Sequence, residues 1–335
     1  MNRTNIIIFT VLCLIVAGVI FGWAVFFQEA SPPKLKVMVY SSFLSPYGPA
    51  HDIQEKFEEF CQCRIQWMKV EDSTLMIQRL KLRSDGLGVD VVLGMDQLTF
   101  NTSNQKWKKI ASPSHNLIPK AQKWIQPFNI PISWAPLTFI SRTPEYLPKN
   151  IESLLNPNLK KNISLPHPRS STLGFQFYFW IFSLFKDTEK FLRSFKQQVY
   201  TVSHSWSSSY GLFQKGFTQL TFSYQTSVIY HLVEENTEYF SARFSEGHPY
   251  QVELAAIPET CVQCDLAQDF LKFLLKKNIQ KILMTKNYMF PVTQDVVEGT
   301  PFANLEDLPL ISYKQIDLFL SNKNKYLKTW DHVFY

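Results

Sequence analysis

From residue 34 onward the chain alternates short apolar runs with amphipathic stretches. LKVMVY at 35–40 is an apolar run of strand length, and over 52–60 Ile53, Phe57 and Phe60 recur at helical spacing. RIQWMKV at 64–70 predicts a second strand, and 74–81 a second helix with Asp72 or Ser73 as its N-cap. The β-branched run VDVVL at 89–93 suits a central parallel strand. This strand–helix–strand–helix–strand order makes an α/β unit with a mainly parallel sheet. A polar stretch at 101–111 reads as loop. IPISWAPLTFISR at 130–142 returns to strand character, with Pro131 and Pro136 pointing to edges or bends. Further strands are predicted at 163–165, 198–202, 220–223 and 251–257. Helices are predicted at 174–185, which is very aromatic, at 187–197 and at 265–276. No internal repeat or low-complexity tract interrupts the pattern. The chain thus reads as two α/β units joined twice, near 130–142 and 245–257. One lobe takes 34–135 and 250–335, the other 136–249. Ligands of open α/β sheets bind at the carboxyl ends of strands, so two such edges facing each other form a hinged interlobe cleft.

Ahead of this lies a different pattern. Arg3 is the only charged residue before an almost unbroken apolar run from 6 to 27. The run is long enough to cross a bilayer. A cleaved secretory signal would be shorter and end in a small-x-small site, for which Gly22-Trp23-Ala24 is a poor match. Leu12 stands where a lipoprotein signal needs a small residue before Cys13. The lone Arg3 keeps the N-terminus inside and sends the rest out of the cytoplasm. We read 1–33 as an uncleaved hydrophobic anchor helix followed by a linker at 30–33.

Composition adds three points. Aromatic residues are 15% of the 335 residues; most of them read as core filling, and such side chains can also offer flat faces to a ligand. The net charge of +6 is scattered as isolated lysine pairs such as Lys108-Lys109 and Lys276-Lys277. Nucleic-acid binding needs a clustered basic stripe, so that class is set aside. Apart from Cys13, the cysteines form two close pairs, Cys61/Cys63 and Cys261/Cys264. In an oxidising compartment these read as local disulfides or reduced buried thiols, ahead of a four-thiolate zinc site.

No nucleophile–base–acid motif, H-E-x-x-H or P-loop occurs. Four segments sit where strands hand over to loops: Tyr40-Ser41-Ser42-Phe43, Val70-Glu71-Asp72-Ser73, PRSSTLG at 168–174, and the aromatic set Trp206, Tyr210, Tyr224 and Tyr230. Hydroxyls and backbone N–H groups at the helix start near Ser171 and Thr172 favour an anion such as phosphate, while also serving as ordinary caps. Trp and Tyr around a cleft can stack on an aromatic ring or hold a cation, although on composition alone core packing is the better reading of each.

At these same segments the sequence resembles the bacterial periplasmic thiamine-binding proteins. The matching stretches are VEDSTLMIQRLKLRSDGLGVDVVLGMD at 70–96, HPRSSTLG at 167–174, WSSSYGLFQKGFTQLTFSYQTSVIYHLVEE at 206–235 and FSEGHPYQVELAA at 244–256, within a resemblance running from 37 to 292. It implies a two-lobed periplasmic binding fold of the second type. It also implies a ligand that is thiamine, its monophosphate or its diphosphate, with no cofactor. The partners implied are an ABC permease with its ATPase, and the protein itself is a periplasmic monomer. The family pattern puts ligand contacts at Tyr40, Asp72, Ser73, Ser171, Thr172, Trp206, Tyr224, Gln225, Thr226, Ser227, Tyr230 and Tyr288. Tyr47 and Tyr288 stand where Trp is common, and Ser41 and Ser133 where Asp is common. Cys261-x-x-Cys264 and the anchor-like N-terminus also depart from the pattern. Three rival readings share the fold: a thiamine-cleaving transferase with a cleft cysteine, an iron(III) receptor with paired tyrosinates, and a descendant that has lost its ligand.

Overall fold

The computed structural model describes residues 31–82, 88–103, 105–111 and 116–335. The apolar run at 6–27, with its reading as a membrane anchor, lies outside the described residues. Among those described, no helix is long and apolar enough to cross a membrane. Lys34–Tyr335 form a compact unit of their own.

Ten strands make up the sheet: β1 (Lys34–Tyr40), β2 (Arg64–Val70), β3 (Val91–Asp96), β4 (Ile130–Ser141), β5 (Ile163–Pro166), β6 (Val199–Ser203), β7 (Leu220–Tyr224), β8 (Phe240–Ser241), β9 (Tyr250–Ala256) and β10 (Phe290–Pro291). The order is β2-β1-β3-β9-β4-β7-β5-β6, with β8 and β10 both on β4. β1 is parallel to β2 and β3, and β5 is parallel to β6 and β7. Between these two parallel groups run β9 and β4, antiparallel to each other and to their outer neighbours. They fall within the segments 130–142 and 245–257. Their buried, apolar residues join the parallel groups edge to edge.

The prolines of β4 do not place it at an edge. It is buried along its whole length and paired on both sides. Pro131 sits beside a register shift, and Pro136 falls where the partner changes from β9 to β7, so the missing N–H groups interrupt the ladder only at those breaks. The end of the chain also departs from the lobe division read from the sequence. The helices Ile316–Ser321 and Lys323–Phe334 bury Phe319, Leu327 and Trp330 in one cluster with Phe175, Phe177 and Tyr178 of the aromatic helix Thr172–Leu184. The hydrophobic effect ties 316–334 to the core of 136–249, not to that of 34–135.

The helix Ala50–Cys61 buries Ile53 and Phe57 as its spacing predicts, but Phe60 is exposed and carries the Lys276 ammonium 3.8 Å above its ring. Both cysteine pairs are disulfides, Cys61–Cys63 and Cys261–Cys264. Among the helices that the apolar periodicity does not predict are Trp206–Gln214, Ser227–Glu234 and Lys277–Asn287.

Candidate functional site

β1 ends in Tyr40, whose ring lies against β3 at Gly94. Gly94 has φ +94°, and a Cβ there would meet Tyr40 Cε1 at 2.3 Å. Glycine therefore meets both demands, the left-handed backbone and the close approach of the ring. Asn287, the last residue of Lys277–Asn287, donates from Nδ2 to the Tyr40 hydroxyl at 2.8 Å and to Glu253 Oε2 at 3.1 Å. Ser133 Oγ, on β4, donates to the same oxygen at 2.8 Å. Glu253 is 3% exposed, and burial pushes its carboxyl up to about 7, against the pull of these donors. Burial, reinforced by the Glu253 charge, also holds the Tyr40 hydroxyl well above its ordinary range.

The facing wall begins at the helix Thr172–Leu184. A Cβ on Gly174 would sit 2.4 Å from the Pro166 carbonyl oxygen, so glycine lets this helix start directly on the end of β5. Its first N–H, on Thr172, points across the cleft and donates to Asp72 Oδ1 at 3.2 Å. Thr74 N donates to the same oxygen at 3.1 Å, which makes Asp72 the N-terminal cap of Ser73–Leu82. Asp72 thus occupies the place that the sequence assigns to a phosphate. Burial raises its pKa to about 6, partly offset by these N–H groups.

Trp206 opens its helix, with Ser205 Oγ as the cap accepting from Ser208 N. Its indole Nε1 donates to Ser223 Oγ at 2.9 Å, which fixes the ring 5.8 Å from that of Tyr224. Tyr210, one turn along, bonds His231 Nε2 at 2.7 Å, and His231 Nδ1 bonds Glu235 at 2.7 Å. Glu235 is acceptor-only when ionised, so Nδ1 carries the proton and Nε2 accepts from the Tyr210 hydroxyl. At the mouth, Tyr230 packs edge-on against Tyr288 at 5.2 Å, and the Tyr288 hydroxyl donates to Glu234.

These walls enclose a cavity of about 580 Å³. Of the residues named from the sequence, Tyr40, Asp72, Ser73, Thr172, Trp206, Tyr224, Ser227, Tyr230 and Tyr288 line it. Ser171, Gln225 and Thr226 do not. Ser171 is fully buried beside the Asp72 carboxyl, Gln225 Nε2 turns away to the Glu306 carbonyl at 2.7 Å, and Thr226 Oγ1 is buried without a partner. The turn from β7 into the next helix aims Gln225 and Thr226 inward, while Tyr224 and Ser227 on either side face the cavity. Sequence reasoning missed Gln251, Glu253 and Asn287, and did not count Tyr47 as a contact. The first two had a signal: polar residues two apart within an otherwise apolar strand share one face.

The model of the family described as bacterial extracellular solute-binding protein matches residues 99–308. The thiamine-binding periplasmic protein of Salmonella typhimurium is 31% identical over 278 residues, covering 82% of this chain and 85% of that protein. A solved periplasmic thiamin binding protein superposes with a TM-score of 0.84 at 27% identity, over 91% of this chain and 97% of that one. A ferric binding protein from Campylobacter jejuni shares the fold at a TM-score of 0.72 and 16% identity, over 89% and 99% of the two chains. The chain belongs to the bacterial extracellular solute-binding protein family, together with the thiamine-binding periplasmic proteins.

Proposed function

We propose that this chain captures thiamine, or its mono- or diphosphate, in the cleft and hands it unchanged to an ABC permease driven by a cytoplasmic ATPase. It acts in the periplasm as a monomer, held at the inner membrane by its N-terminal segment. The observation that carries the reading is the make-up of the cavity: aromatic faces on both walls, with the carboxylates Asp72 and Glu253 between them. A flat aminopyrimidine and a cationic thiazolium match those faces and charges. Tyr40, Trp206, Tyr224, Tyr230 and Tyr288 supply the stacking surfaces. Asp72 accepts from the amino group or offsets the positive charge, Ser73 and Thr172 meet the hydroxyethyl or phosphate end, and Ser227 adds a hydroxyl. The lobes turn about β4 and β9, and Asp72 with Thr172 and Glu234 with Tyr288 close opposite sides of the mouth.

The rivals fit less well. A thiamine-cleaving enzyme needs a cleft thiolate. Among the described residues no cysteine lines the cavity, and Cys61, Cys63, Cys261 and Cys264 are tied in disulfides. Ferric iron is usually held by paired tyrosinates with a carboxylate or His, and among the described residues no group of three or more His, Cys, Asp or Glu is placed to hold a metal ion.

Trp206 offers a direct test. A cationic ring stacked on its indole should quench its emission saturably with thiamine, and a Trp206→Phe variant should lose that component. Full emission with thiamine and both phosphates, at concentrations up to millimolar, would overturn the reading.

A further inference from the structure

Glu253 comes from β9, Ser133 from β4, Asn287 from the end of a helix and Tyr40 from β1. The Ser133 and Asn287 donors both end on Glu253 Oε2, at 2.8 and 3.1 Å, and Asn287 also holds the Tyr40 hydroxyl. The Tyr40 hydroxyl is a further hydrogen-bond neighbour of this carboxyl, and the carboxyl so held lines the cavity, where a ligand can meet it. The charge itself is uncompensated, because no basic side chain contributes to its electrostatics. Burying an unpaired charge is costly, and this one lies beneath π faces that favour cations.

We propose that Glu253 is the counter-ion of the bound ligand, and that uptake of a flat heteroaromatic cation is coupled to release of the Glu253 proton. The inference rests on the function proposed above and deepens it. In the empty cleft the carboxyl holds its proton up to about pH 7. A cationic ligand with an N–H donor replaces the missing compensation, returns the group towards an ordinary carboxylate, and the proton passes to the buffer. The balance is Glu253–COOH plus ligand cation giving the Glu253 carboxylate–ligand pair plus H⁺. Affinity therefore rises with pH through the free-state value and levels off once Glu253 is already ionised.

The other titratable groups around it behave differently. Tyr40 on β1 and Tyr224 on β7 are held well above their ordinary values and stay neutral. Asp72, after β2, titrates near 6 and is mostly ionised by pH 7. Asp96, at the end of β3, is fully buried, bonded to Gln176 and near Lys323. Lys286 lines the cavity beside Asn287.

The test is calorimetric titration of thiamine into the chain from Pro33 onward, at pH 7, in buffers of different ionisation enthalpy. About half of Glu253 is protonated there, so ~0.5 proton should be released per ligand bound, falling towards zero by pH 8.5. Glu253→Gln keeps the shape and the bonds to Ser133 and Asn287. It should abolish the release at pH 7 and weaken binding about 10- to 100-fold. Asp72→Asn should leave the release at pH 7 in place. Tight binding by the unaltered protein without proton release overturns this inference alone, as does a Glu253→Gln variant with full affinity. No heat with thiamine or either phosphate overturns both this inference and the function on which it rests.

Discussion

Substituting Gly94 by alanine tests how Tyr40 is placed in the cavity while leaving the side chain of Tyr40 itself unaltered. The new Cβ would lie 2.3 Å from Cε1 and 2.5 Å from Cδ1 of Tyr40. Ordinary carbon contacts are about 3.5 Å or more, so the ring must withdraw by ~1.2 Å. The Asn287–Tyr40 bond starts at 2.8 Å, and the same displacement carries it past the ~3.5 Å at which such a bond ceases to count. Losing it costs about 1 kcal/mol. An alanine at φ +94° adds about 1–2 kcal/mol of left-handed strain. The sum is ~2–3 kcal/mol, read as a melting point lower by about 3–5 °C and a clear loss of ligand affinity. Urea unfolding and calorimetric titration on the same preparation measure both. Gly211 is the control. A Cβ there has nothing within 4 Å, and it lies in the helix Trp206–Gln214, so Gly211→Ala should gain ~0.5–1 kcal/mol. If Gly94→Ala keeps full stability and affinity, the account of how Tyr40 is placed is wrong.

Three further outcomes are expected. Glu253→Gln should stabilise the ligand-free protein at pH 8 by about 2–3 kcal/mol, because the native carboxyl is raised from 4.5 to about 7. That penalty is absent below pH 4.5 and complete only above pH 7, so urea midpoints of the two proteins should converge in acid. Asp72→Asn should shift preference from thiamine towards its monophosphate by about 10-fold, since the ionised Asp72 occupies the Thr172 N–H that a phosphate would use; competition calorimetry reads the ratio. His248 is fully buried, accepts from Phe244 N at 2.9 Å, bonds the Leu137 carbonyl at 3.2 Å, and is held by burial down to about 4. Its folded value is depressed, so its contribution of up to ~3 kcal/mol is present above pH 6.5 and lost as the pH falls through 4. Unfolding midpoints should drop over that window, and His248→Gln should flatten the drop.

The parts of this molecule that the sequence discloses are those where one physical rule acts alone. β1, β2 and β3 follow from apolar runs of strand length, and Asp72 from a cap position at a strand end. The cleft aromatics Trp206, Tyr224 and Tyr230 became legible through resemblance, because on composition alone core packing is the better reading of each. WSSSYGLFQ lacks a helical stripe, so its helix was missed; it is held by the Ser205 cap and by packing on β5 and β7. β4 misled because proline argues against a central strand, and nothing local reveals that its ladder breaks at Pro131 and changes partner at Pro136. Glu253 is a tertiary fact. Its neighbours Tyr40, Ser133 and Asn287 come from three distant segments, and only the folded sheet shows that they converge.

The central claim is that the cleft takes thiamine or a thiamine phosphate, and calorimetric titration of the chain from Pro33 onward with each of the three forms tests it most directly. The account predicts tight one-to-one binding to at least one of them, weakened by Trp206→Ala and by Tyr224→Ala. A folded sample that gives no heat with any of the three would contradict it.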